Sequence, residues 1–295
     1  MLLEKFLWGP INDPLLLSIT LGNSRFKLIM IFKKYLAIIK ISLLSVMAYR
    51  LSFLMWRIRT IFTFLTIFYF WSSVIPQNNS LFGYSHSQML TYVFGITIIG
   101  IFVFSSSTNS VGEEINDGNL SNFLLKPINY FSYWLTQDLG DKIVNLAFTI
   151  IELLILFLLL RPPIFLQKDL VTILLTVFAG LIAAITYFFI NMLMGFIAFW
   201  NPEIWAPRFI FFVLLGFFAG QYFPLDILPK PVFEFFQLLP FAYLLYFPVK
   251  VYLGQLVFGQ VVQGFAVGIG WSIVIFFIMI FVWKRGLRSY SAQGR

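Results

Sequence analysis

The sequence has no cysteine, a single histidine and only twelve acidic residues, and each shortage closes off a kind of chemistry. Without cysteine there is no disulfide, no thiolate nucleophile and no thiolate metal site. His86 stands alone just ahead of an apolar run, where such a side chain is ordinarily solvated or hydrogen-bonded rather than a ligand. No GxxxxGK[ST] string occurs, so the chain has no P-loop for a nucleotide, and any energy from ATP must come through another subunit. These absences leave no catalytic residue, metal ligand or cofactor site to nominate. Charge is scarce as well: 11% of residues are charged, against about 25% in soluble domains.

What the chain has in abundance is apolar surface, at 60% of residues, a third of it aromatic. A helix crossing about 30 Å of hydrocarbon needs about 20 such residues, and six segments qualify, at about 60–77, 88–106, 143–161, 170–195, 207–223 and 258–283. Backbone groups in lipid must be satisfied within the segment, so these runs predict an all-α polytopic membrane protein. The net charge of +8 is placed by topology. Nine of the twenty Lys and Arg precede the first segment and four follow the last, so the positive-inside rule puts both termini in the cytoplasm, and the bias attracts lipid headgroups rather than nucleic acid. Arg161, Lys168, Lys230 and Lys250 are left for the outer side.

On the same count, residues 105–141 face the cytoplasm. This polar stretch holds Glu113, Glu114, Asp117, Asp138 and Asp141, five of the twelve acids, and its amphipathic pattern predicts a docking surface for something soluble. Glu113, Glu114 and Asp117 fall within one and a half helical turns, with Ile115, Leu120, Phe123 and Leu124 as an apolar face to fill a groove. A solvated face that only keeps the loop in water fits the same acids, and Pro127 after Lys126 also fits a simple helix end. Glu152 lies inside a span, where a carboxylate must face protein, a partner or a cavity; lining a substrate path and making a structural hydrogen bond both fit it.

Residues 1–29 are an atypical extension ahead of a functional start expected near Met30. Residues 30–59, apolar but punctuated by Lys33, Lys34, Lys40, Arg50, Arg57 and Arg59, predict an amphipathic helix in the headgroup plane; a seventh span over about 36–56 is the other reading. Small residues repeat at Ala179, Gly180, Ala183 and Ala184 and at Gly264 and Gly268, a pattern for close helix packing within the chain or with a second copy. Between the last two spans Pro224, Pro229, Pro231, Pro240 and Pro248 break what would be helix. Residues 220–255 are therefore short helices, either a re-entrant element at the outer face or an irregular loop. Phe233, Phe235, Phe236 and Phe241 are expected at the interface, with Asp226, Lys230 and Glu234 near water.

The order of three strings resembles a known family. Glu113-Glu114-Ile115 with Gly118, Leu120 and Leu124-Leu125-Lys126-Pro127-Ile128 comes between the second and third spans. Gly220, Phe223-Pro224-Leu225 and Leu228-Pro229, then Leu239-Pro240-Phe241, Tyr246 and Pro248, come before the last. Over about residues 31–285 the chain resembles permease subunits of ABC transporters of the type-2 exporter class. The resemblance implies a six-span permease of a bacterial cytoplasmic membrane that pairs with a second copy or a paralogue and recruits two copies of a separate ABC ATPase, which binds the ATP. It implies that 30–59 is a connecting elbow. It implies that the loop over 107–141 couples to the ATPase through Glu113, Glu114, Asp117, Gly118, Leu120, Leu124, Lys126 and Pro127. It also implies that Pro224, Leu225, Pro229, Pro240 and Phe241 belong to an outer gate over 220–255. A secondary transporter and a membrane enzyme acting on lipid-linked substrates are the alternatives. The first usually carries ionisable residues in several spans, and the second needs a cluster of acids that Asp138 stands too far along the chain from residues 113–117 to suggest.

Overall fold

A computed structural model describes residues 50–76 and 80–290; the expected extension 1–29, the larger part of the expected elbow and Arg295 lie outside the described residues. The described chain is helical. Its helices are α1 (Arg50–Val74), α2 (His86–Phe104), α3 (Val111–Asn116), α4 (Asn119–Leu124), α5 (Tyr130–Leu160), α6 (Leu170–Phe196), α7 (Trp205–Phe218), α8 (Lys230–Leu238), α9 (Tyr246–Tyr252) and α10 (Phe258–Ser289). Their starts follow local chemistry. Ser85 and Gln88 exchange side-chain-to-backbone hydrogen bonds at 3.2 and 3.1 Å to open α2. Asn129 and Asp169 accept from the backbone of Ser132 and Thr172 to open α5 and α6.

Among the described residues, five helices, α1, α2, α5, α6 and α10, are long and apolar enough to cross a membrane. The end of the bundle bearing residues 105–129 is called lower here, and the end bearing residues 219–257 upper. Helices α2 and α6 bury about half of their apolar stretch and form the centre, whereas α1, α5 and α10 bury about a sixth and present apolar side chains outward.

Two boundaries differ from expectation. Residues 50–59 run into the first span as one helix with no break. Residues 130–141, expected in the polar loop, are the first turns of the 31-residue α5, because Asn129 caps the helix and the polar side chains there pair with neighbours rather than with water.

The expected fifth span is a helix of only 14 residues, about 21 Å long. Its two ends are nevertheless tied to opposite ends of α2. Arg208 donates from Nη1 to the Asn109 carbonyl at 2.6 Å, just below α2, and Tyr92, in the second turn of α2, donates to the Gly220 carbonyl at 2.7 Å. Trp71, near the top of α1, donates to the Tyr222 carbonyl at 2.9 Å. The helix and the short extended piece after it thus complete a sixth passage.

Above α7 the chain turns back into the bundle. Helix α8 and the stretch Pro240–Tyr252 meet at 80°. Val249 packs on Gly95, Tyr243 on Gly268 of α10, and Trp271 donates to the Leu238 carbonyl at 3.1 Å. Counted along α10 from Phe258, these contacts lie about 15–20 Å from the upper end. The hairpin is re-entrant, and deeper than an interfacial seat: Phe241, expected at the interface, is at the turn, against Phe211 and Phe218. Both small-residue patterns serve this insertion within the chain. Ala179 packs with Phe247 and Val251, and a side chain at Gly264 would overlap the Phe247 ring.

Candidate functional site

The lower insert is built from the inside outward. A 3-10 turn, Ser107–Ser110, leads into α3, and Gly118, in the left-handed region at φ 75°, turns the chain into α4. Ile115, Leu120 and Phe123 are buried with Phe131, Trp134, Phe196, Phe199 and Trp283 from α5, α6 and α10 and the turn after α6. Leu120, expected to enter an ATPase groove, is therefore part of the chain's own core at 0% exposure, and Ile115 and Phe123 are buried with it. The packed side of α3 and α4 consumes the apolar face that the pattern offered. The exposed edge includes Glu113, Asp117, Asn119, Asn122, Leu124, Leu125, Lys126 and Pro127, with Leu125 86% exposed.

Glu114 is not part of that outer face. It turns inward and accepts from the Tyr130 hydroxyl at 2.9 Å, and burial raises its carboxyl above the usual range despite that hydrogen bond. The insert is fixed to the bundle by backbone proximity. A side chain at Gly112 would overlap Ile204 and approach the Gly195 carbonyl, and one at Gly195 of α6 would meet Val111 at 2.8 Å. Asn191 of α6, fully buried, donates to Thr108 at 2.6 Å, and Asn116 donates to the Pro202 carbonyl at 2.8 Å. Sequence reasoning missed Gly112 and Gly195, since a lone glycine in the first or last turn of a helix gives no signal of what crosses it.

Asp138, expected beside water, is 1% exposed and pairs with Lys142 at 3.2 Å, while Ser106 donates to its other oxygen. Lys142 also donates to the carbonyls of Val103, at 2.9 Å, and Ser105, which the end of α2 leaves unpaired. The i,i+4 spacing of these two residues was the available signal. Glu152 has a partner too: Arg57 donates to it from Nε at 2.7 Å and from Nη2, and reaches Thr149 at 2.8 Å. Its place is ten residues above Lys142, near mid-depth, and it is not among the residues lining the cleft described next.

That cleft, of about 590 Å³, lies between α1, α2 and α7. Thr60, Thr63 and Ile67 line it from α1, Thr97, Gly100 and Phe104 from α2, and Phe209 and Phe212 from α7. At its upper end stand Trp71, Tyr92, Gln221 and Tyr222. The chain just beyond forms a roof. Gly220, at φ 79°, has Tyr92, Leu225 and Tyr246 where a side chain would stand. Pro224 leads into a 3-10 turn whose Leu225 is fully buried, and Pro229 and Pro240 stand at the starts of α8 and of the Pro240–Tyr243 turn. Asp226, expected near water, instead joins Lys250 at 2.8 Å and accepts from Tyr84 at 2.9 Å, whereas Lys230 and Glu234 are exposed as expected. His86 holds the Ile75 carbonyl at 2.8 Å, a structural role.

Comparison with curated proteins and with solved structures returns no match. A family model described as ABC-2 family transporter protein matches residues 60–294, which takes in the greater part of α1 and all of the later spanning helices, the lower insert and the re-entrant hairpin. The chain belongs to the ABC-2 family of transporter proteins, as the permease component of an ABC transporter.

Proposed function

We propose that the chain is the membrane half of an ATP-driven exporter: two permease copies, or this chain and a paralogue, around a shared path, driven by two copies of a separate ATPase. In this reading the lower end is cytoplasmic, both termini lie there, and the protein sits in a bacterial cytoplasmic membrane. The chain itself makes and breaks no covalent bond.

The observation that carries the reading is the seating of α3 on α6 through Gly112 and Gly195. Glycine on both sides removes the side-chain cushion, so a push on the exposed edge of the insert passes to the central helix with little loss. The exposed edge suits a protein partner. Glu113, Asp117 and Lys126 offer charge, and Leu124 and Leu125 offer an apolar anchor in a stretch otherwise surrounded by water. Asp138 and Lys142 tie the same insert to the end of α2, which lines the cleft. Closure of the ATPase would thus move α2 and α6 together and reshape the cleft, while the roof at 220–228 governs release on the other side.

The test is to reverse charge at both exposed acids, Glu113→Lys with Asp117→Lys, and to purify the complex from its native membrane. The expected result is a folded permease that retains little ATPase and transports poorly. Undiminished ATPase recovery together with normal transport would show that these acids only solvate the insert.

A further inference from the structure

Two arginines stand two residues apart on α1 and face opposite ways. Arg57 is 3% exposed and has a built-in counter-ion in Glu152. Arg59 is exposed, lines the cleft, and has no ion pair or side-chain hydrogen bond among the described residues. An ionisable side chain within a membrane-spanning helix is costly unless it meets water, a partner or a ligand, and Arg59 lacks the arrangement that satisfies its neighbour. The lining of the cleft contains no acid at all. Its threonines do not supply donors either: Thr60, Thr63 and Thr97 each donate to the carbonyl one turn before, at 3.0, 2.9 and 2.9 Å, so that toward the cleft they offer oxygen lone pairs and methyl groups. Arg208, not itself a lining residue, stands behind the lower part of the lining. One nitrogen holds the carbonyl of Asn109, a lining residue, while its Nε and Nη2 are buried with no acceptor. Ser105 and Asn109 at the lower end and Gln221 at the upper end are neutral, and most of the remaining wall is aromatic or aliphatic, with Trp56, Phe64, Ile67, Phe104, Phe209 and Phe212.

We infer that this cleft selects an amphiphile with an anionic head, a carboxylate, sulfonate or phosphate, and an apolar body. Arg59 contacts the head, and the aromatic walls take the body. The inference rests on the exporter reading only for calling the ligand cargo; the binding preference stands on the cleft alone. A fixed cation among apolar walls discriminates strongly because a cationic head would sit beside an uncompensated like charge and a neutral head would leave the guanidinium unpaired.

The full chain, purified in a neutral detergent, is titrated with dansyl-undecanoic acid, its primary amide and the corresponding amine. The acid is expected to bind about tenfold or more tighter than either analogue, the size of one charge-assisted hydrogen-bonded contact. Arg59→Gln should abolish that preference, weakening the acid and bringing it level with the amide, Arg59→Lys should keep most of it, and Thr63→Trp, which fills the cleft, should weaken all three. Equal binding of the three probes, or an unchanged preference in folded Arg59→Gln, overturns the proposal. Competition by phosphatidylglycerol in neutral nanodiscs would identify the head as that of a membrane lipid, and its failure to compete as that of a free acid; both retain the anionic head. Since binding needs no ATPase, the two readings separate. Anion preference without ATP-dependent movement keeps this proposal and sinks the exporter, and ATP-dependent movement of amphiphiles without anion preference does the reverse.

Discussion

Each end of the bundle carries an insert of short helices, and beside or within each insert lies a buried or part-buried carboxylate–lysine pair, but the pairs are sealed to different degrees. At the lower end Asp138 and Lys142 are both 1% exposed; at the upper end Lys250 is 6% exposed and its partner Asp226 is 25% exposed. The lower pair also caps the last carbonyls of a central helix, so it cannot part without unpairing α2. The upper pair has water at hand to replace the lost contact. On the proposed function the contrast would suit two mechanical roles, a lower insert that acts as a lever and must not yield, and an upper one that acts as a roof and must.

The largest effect expected from this contrast is in stability. Lys142→Met leaves Asp138 buried beside nothing of opposite charge and should cost about 3–5 kcal/mol, whereas Lys250→Met leaves a carboxylate that can hydrate and should cost about 1–3 kcal/mol. Thermal unfolding of the two variants in the same detergent checks the order; equal losses would remove the distinction. Next come the glycines. Gly112→Ala forces Ile204 and the α6 backbone apart, and Gly264→Ala pushes on the Phe247 ring, each by overpacking worth about 1–3 kcal/mol. Their functional readouts should split. Gly112→Ala should retain ATPase binding and hydrolysis but lose transport, since the lever no longer seats, whereas Gly264→Ala should slow transport and hydrolysis together. Loss of ATPase binding in Gly112→Ala would place the contact in docking rather than transmission.

The smallest effect is a pH dependence at the lower end. Burial holds the Glu114 carboxyl above its ordinary range, so the folded chain binds that proton more readily than the unfolded chain. The stabilisation this gives is fully present below the unfolded-state pKa and fades as pH rises through the higher folded one. Glu114→Gln should therefore flatten the fall in melting temperature across that window, and an identical slope in the variant would contradict the inward placement. Being half-buried, Glu114 should contribute only a shallow slope.

The spans were legible because membrane length and apolarity are properties of single segments, as was the break-up of residues 220–255, where each proline acts locally. Leu120 was misplaced because an amphipathic pattern tells which side chains share a face but not whether the chain or a partner covers it. Asp226 is expected near water because its partner's position, twenty-four residues on at Lys250, has meaning only once α9 is set. Arg57 and Glu152 are ninety-five residues apart, and nothing local in either announces the other.

The central claim is that the lower insert, through its few exposed residues, is where an ATPase docks. In this cysteine-free chain single cysteines at Leu125, Leu120 and Val232 sample the exposed edge, the buried core of the insert and the upper hairpin. After treatment of native membranes with a short thiol–amine cross-linker, the account predicts an adduct between the permease and an ABC ATPase from position 125 and none from 120 or 232. An ATPase adduct from 232, or none from 125 in a complex that still hydrolyses ATP and transports, would contradict it.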